Sequence, residues 1–180
     1  IIRNKLYFET QMTQEEYRDL VKSHIEDVKN RLNLALNGKY LDDIEPILVR
    51  MHSPHNLPSW FTYLKEHKGL PYGDGKTIGS IVEKLLVCII EKYIFEPNSP
   101  LCLSVNPARG VDVPELNLGI KSPSENMCTS EPYFSAYERL LGNEFDVIVL
   151  LTNLQSVKDS RPIPLQIVSI RYLDHTEVAD

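Results

Sequence analysis

The sequence predicts one α/β domain with a central mixed β-sheet flanked by helices. Three observations carry this. Apolar residues recur at helical spacing through much of the first half of the chain. Phe145 to Thr152 is a near-continuous apolar run, the pattern of a strand buried on both faces. Val113 to Lys121 alternates, with Leu116, Leu118 and Ile120 on one face and Asn117, Gly119 and Lys121 on the other. Helices before and between strands are the pattern of a sheet with helices packed on it. The 180 residues fit a single such domain, with residues 1–70 forming a helical N-terminal part.

The elements follow in order. Thr13-Gln14-Glu15-Glu16 reads as a capping box, in which Thr13 accepts the Glu16 N–H and the Glu16 carboxylate reaches back. A helix is expected from about 14 to 37. Tyr17, Leu20, Val21, His24, Ile25, Val28, Leu32 and Leu36 form its stripe, and Gly38 is its stop. A short helix is expected near 58–67, then a turn from Gly69 to Gly75. Lys76 to Phe95 reads as a long core helix with Ile78, Ile81, Val82, Leu85 and Ile89 in one stripe, ended by Pro97 and Pro100. Leu101 to Val105 is a short strand candidate and Tyr133 to Leu141 a helix stopped at Gly142. Leu165 to Leu173 is the last strand candidate.

Composition narrows the function classes. Lys and Arg number 19 against 25 Asp and Glu, for a net charge of −6. That balance argues against a protein that coats nucleic acid, whose usual signature is a basic footprint. It does not exclude an enzyme that cuts nucleic acid, because metal-binding carboxylates lower the net charge. No apolar run reaches the length of a membrane span. Cys88, Cys102 and Cys128 lack metal-site spacing and suit a reducing cytoplasm rather than a disulfide framework. The chain begins at Ile1 and a strand-like pattern runs almost to Asp180, as expected of a fragment of a longer chain. Neither a Ser-centred catalytic elbow nor a phosphate-cradling glycine loop is present; Leu70 stands where the latter needs glycine.

The stretch that carries chemistry is Gly110-Val-Asp-Val-Pro-Glu-Leu-Asn-Leu-Gly-Ile-Lys-Ser122. A turn at Pro114 brings Asp112 alongside the strand end and toward Lys121, nine residues later. An aspartate beside a lysine at a strand edge suits metal-dependent phosphodiester cleavage. Asp112 would hold Mg²⁺ through oxygen, and Lys121 would orient or deprotonate the attacking water and offset phosphate charge. The same residues also have bland readings. Asp112 is a turn residue before proline, Lys121 a strand-end lysine, and Glu83 a surface glutamate beside Lys84.

This segment resembles the active-site segment of the PD-(D/E)xK nucleases, in particular the MutH-like endonucleases and their restriction-enzyme relatives. Asp112, Pro114, Glu115, Leu116 and Lys121 fall in register with that family's Asp-x-Pro-Glu-Leu-x-x-Glu-x-Lys. Upstream, Gly79-Ser-Ile-Val-Glu83 matches its helical Gly-x-x-x-Glu. The resemblance spans roughly residues 75 to 125. It implies a restriction-endonuclease-like fold with a catalytic core at 71–175. It implies catalysis by Asp112, Lys121 and Glu83, with Mg²⁺ held by Asp112, Glu83 and the backbone carbonyl of Ile120. DNA contacts would come from Lys76, Arg109 and Ser122. The partners implied are double-stranded DNA and a second copy of the chain, in a bacterial cytoplasm. One position departs: Gly119 stands where the family has its second acidic ligand. Three explanations stay open. A Glu→Gly change has inactivated the enzyme, the ligand has migrated to Glu83 or Glu115, or the chain is a naturally inactive relative that only binds.

Overall fold

The computed structural model describes residues 12–71, 73–106, 111–123, 145–153 and 164–177. Helices α1 (Gln14–Ser23), α2 (Ile25–Leu36), α3 (Leu41–Met51), α4 (Ser59–His67) and α5 (Gly75–Ile89) precede the strands β1 (Leu118–Lys121), β2 (Asp146–Thr152) and β3 (Ile167–Leu173). The sheet order is β1-β2-β3. β1 runs parallel to β2 and β3 antiparallel to it, so the sheet is mixed. The fold class is the α/β arrangement that the sequence pattern predicts. Parallel β1 and β2 need a long crossover, and the predicted helix at Tyr133–Leu141 falls within that crossover, outside the described residues.

α5 is the spine of the core. Ile78, Ile81, Val82, Leu85, Leu86 and Ile89 are all buried, so truncating one of them to alanine is expected to cost roughly 2–5 kcal/mol. Asp74 caps its start by accepting the Thr77 N–H at 2.8 Å. From Ile90 to Phe95 the helix widens into π-type turns. There the buried Glu91 carboxylate takes Arg50 Nη1 at 2.8 Å and the Leu103 N–H at 2.6 Å.

Four expectations need correction. The helix expected over 14–37 is two helices, broken at His24. The Ser23 hydroxyl and the His24 ring both take the Leu20 carbonyl, drawing local polar groups away from the ladder. α3 was not foreseen. Pro46 interrupts its pattern, although Leu41, Ile44, Ile47 and Leu48 recur at helical spacing and are buried. Leu101–Val105 is not a strand, because the Leu103 N–H goes to Glu91 and its carbonyl to Arg50 at 2.8 Å. Val113–Lys121 is not one strand. Pro114 to Leu116 forms a 3₁₀ turn, Asn117 is left-handed (φ 48°), and only Leu118–Lys121 pairs with β2.

Candidate active site

That correction builds the site. The turn over Pro114–Leu116 folds Asp112 back along β1, where its Oδ2 accepts the Ile120 N–H at 2.6 Å. Among the described residues β1 pairs along its length with β2, and on its other edge only Leu118 is bridged, to Val113, so this bond caps that edge at Ile120. In a strand the N–H and C=O of one residue point to the same side. The Ile120 carbonyl therefore lies on the Asp112 side as well.

α5 delivers Glu83 to the same edge. Gly79, one turn earlier on the same helix line, meets the end of β1: a Cβ there would lie 3.0 Å from Ser122 Oγ. Only glycine allows so close an approach without a shift. The Glu83 carboxyl then lies close enough to Asp112 for each to shift the other's protonation. Burial, followed by the neighbouring Asp112 charge, pushes Glu83 up to about 7, against the opposing pull of Lys84 and Lys121. Burial also raises Asp112, while the Ile120 N–H and Lys121 pull it down. Lys121 is thus the cation whose field reaches both carboxyls. Neither acid is fully compensated, and the pair shares protons as a unit.

Position 119 faces this pair. Residues 119 and 121 share a strand face, and a Cβ on Gly119 would lie 3.8 Å from Asp112 Oδ2 and 3.6 Å from Val147 Cγ2. These are ordinary contacts, so the site has room for the start of a side chain. Glu115 is turned elsewhere: its Oε1 accepts the Ser104 hydroxyl at 2.5 Å. Of the two carboxylates considered as a migrated ligand, Glu83 is the one found against Asp112.

The expected DNA-contact residues divide. Ser122 lies against Gly79 of α5, and Lys76 is exposed on the first turn of the same helix. Arg109 lies outside the described residues. Among the described residues no group of three or more His, Cys, Asp or Glu side chains is placed to hold an ion. The donor set is two carboxylates and a carbonyl. That suits Mg²⁺, a hard cation commonly held by one or two carboxylates, with waters and substrate phosphate completing its shell.

Sequence reasoning missed a second carboxylate centre. Asp146, at the start of β2, is buried and accepts Tyr172 OH at 2.5 Å and the His175 N–H at 2.8 Å, with Arg18 Nε at 3.2 Å. Its only sequence signal is an acid opening an apolar strand.

The described residues thus form an α/β domain with two carboxyls and a lysine gathered at one strand edge. A family model described as type II restriction enzyme NspV matches residues 56–180, and the chain belongs to that family. The match spans α4, α5 and all three strands, including every site residue named above. No curated protein and no solved structure matches the chain. The family's substrate is DNA. None of the described helices is long and apolar enough to cross a membrane.

Proposed function

We propose that the chain is a Mg²⁺-dependent endonuclease of the PD-(D/E)xK class, allied to the MutH-like enzymes, in which Glu83 supplies the acid that position 119 lacks. The observation that carries this reading is the approach of Glu83 to Asp112, under the field of Lys121, where Asp112 caps β1 at Ile120. Asp112, Glu83 and the Ile120 carbonyl would hold the cation, which would polarise the phosphodiester and offset its developing charge. Asp112 is fixed in place by the Ile120 N–H, so its free oxygen needs little reorganisation. Lys121, as an ammonium, would orient the attacking water and offset charge on the phosphate. The water oxygen would bond to phosphorus as its proton passes to solvent, and the bond from phosphorus to one ester oxygen would break, that oxygen taking a proton from solvent. Ser122, Lys76 and Arg109 would contact the DNA backbone. A homodimer would let two such sites cut both strands of a palindrome, and a bacterial cytoplasm is the expected setting.

The inactivated reading makes Gly119 a lost ligand instead. The room at Gly119 beside Asp112 is the observation in its favour. Supercoiled-plasmid nicking with Mg²⁺ or Mn²⁺ separates the readings. The active reading requires nicking by the unmodified chain and its loss in Asp112→Ala. Absence of nicking that Gly119→Glu restores would establish the inactivated form.

A further inference from the structure

A cleft of about 640 Å³ lies between the loop preceding α4 and the first turns of α5. Lys76, Thr77, Ser80 and Lys84 line one wall, and His52 and Trp60 lie opposite. No lining residue is acidic, in a chain with 25 acidic residues. Among the described residues, neither lysine has a carboxylate within ion-pair distance. Asp74, at the same end of α5, is engaged as the helix cap.

Position within α5 ties this cleft to the carboxyl pair. Lys76, Ser80 and Lys84 fall on one helix line, at i, i+4 and i+8. Gly79 and Glu83 fall on the adjacent line, which meets β1 and Asp112. One helix therefore presents the Glu83 carboxyl on one line and two lysines with a hydroxyl between them on the next. The lysines are about 12 Å apart along the axis. A DNA strand rises about 3.4 Å per phosphate, so the two ammonium groups can meet different phosphates of one strand.

We propose that this cleft binds the sugar–phosphate backbone of duplex DNA, flanking the phosphodiester that reaches Glu83 and Asp112. Lys76 and Lys84 neutralise two phosphates, and Ser80 donates a hydrogen bond between them. The backbone is the occupant because the wall offers cations and donors without carboxylates, the chemistry that holds phosphate without reading sequence. The cleft extends the nuclease reading and rests on it for the position of the scissile bond.

The test is a fluorescence-anisotropy titration of the full chain against a labelled duplex of mixed sequence, with Ca²⁺ present, across a series of salt concentrations. Each phosphate contact steepens the slope of log affinity against log salt by roughly 0.9. Lys76→Gln with Lys84→Gln should lower the slope by roughly 1.8, and each alone by roughly 0.9. The exposed Lys39, on the loop before α3, serves as control, and Lys39→Gln should leave the slope unchanged. If the double variant fails to fold, the single variants carry the test. An unchanged slope in the lysine variants, an equal fall in Lys39→Gln, or no duplex binding by the unmodified chain would each overturn the cleft assignment. Plasmid nicking run in parallel keeps the two readings apart. Nicking with an unchanged slope sinks the cleft and keeps the nuclease. The expected slope loss without nicking keeps the cleft and sinks the nuclease.

Discussion

Two carboxylate centres flank the start of the sheet, and they are finished differently. Asp146 is surrounded by donors: the Arg18 guanidinium, the Tyr172 hydroxyl and the His175 N–H all reach it. It ties α1 to β2 and to the end of β3 and has little capacity left for a ligand. Glu83 and Asp112 face each other instead, with one backbone N–H on Asp112 and Lys121 as the shared cation. Two like charges with too few donors hold on to protons and leave oxygens available. A compensated acid braces a fold, whereas an uncompensated pair is poised for a cation.

The largest expected effect comes from breaking the uncompensated pair. Asp112→Asn removes the proposed metal ligand but adds no strain, because asparagine is isosteric and its side-chain oxygen can still accept the Ile120 N–H. Losing several kcal/mol of charge stabilisation should slow plasmid cleavage by on the order of a hundredfold to ten-thousandfold. Urea unfolding of the same variant should show stability unchanged or raised, since an uncompensated buried charge is gone. A large stability loss would mean that Asp112 is a brace like Asp146.

The opposite pattern is expected where an acid is fully paired. Arg50→Ala strips Glu91 of its two guanidinium contacts. Leaving a buried carboxylate without its partner should cost roughly 3 kcal/mol in urea unfolding. The carboxyl pair lies on other residues, so Mg²⁺-dependent cleavage per folded molecule should stay near the unmodified level. If cleavage falls while stability holds, the division between bracing and reactive acids is wrong.

A pH titration sharpens the comparison further. Glu83 is raised from 4.5 to about 7 in the folded chain. Between those values the folded state binds more protons than the unfolded state. In metal-free solution, stability should therefore fall as pH rises through that window, with its full value present below about 4.5. Glu83→Gln should remove that part of the slope in chemical unfolding measured across pH. A slope unchanged by Glu83→Gln would mean that burial and the neighbouring Asp112 do not raise Glu83.

The smallest effect concerns position 119. With Glu83 already beside Asp112, Gly119→Glu should change cleavage by less than about tenfold, or ~1.4 kcal/mol. A rescue of a hundredfold or more in the nicking rate would identify a missing ligand instead.

How much of this was legible depended on distance in sequence. The capping box at Thr13, the apolar stripe of α5 and the buried run of β2 are local patterns, and they predict elements that formed. Asp112 and Lys121 are nine residues apart, and one proline turn brings them together. The Gly79 to Glu83 spacing placed the helix carboxyl because both residues lie on one helix line. What stayed hidden depends on contacts between distant elements. Nothing near Glu91 announces Arg50 as its partner, so the irregular path of Leu101–Val105 was misread as a strand. Asp146 finds donors on α1 and at the end of β3, which no spacing rule brings together. The surroundings of Glu115 also required the structure, since only coordinates show the Ser104 hydroxyl bonded to it.

The central claim is that Glu83 and Asp112 together form a divalent-cation site. Isothermal titration calorimetry with Mn²⁺ near pH 6, repeated in buffers of different ionisation enthalpy, tests it most directly. Below the raised value of about 7, Glu83 holds its proton, so binding must release it. The unmodified chain should bind the ion with proton release, visible as a heat that depends on the buffer. Glu83→Gln should weaken binding by at least about tenfold and abolish the buffer dependence, and Asp112→Asn should remove binding. Equal affinity and equal proton release in Glu83→Gln would contradict the account and place the cation elsewhere.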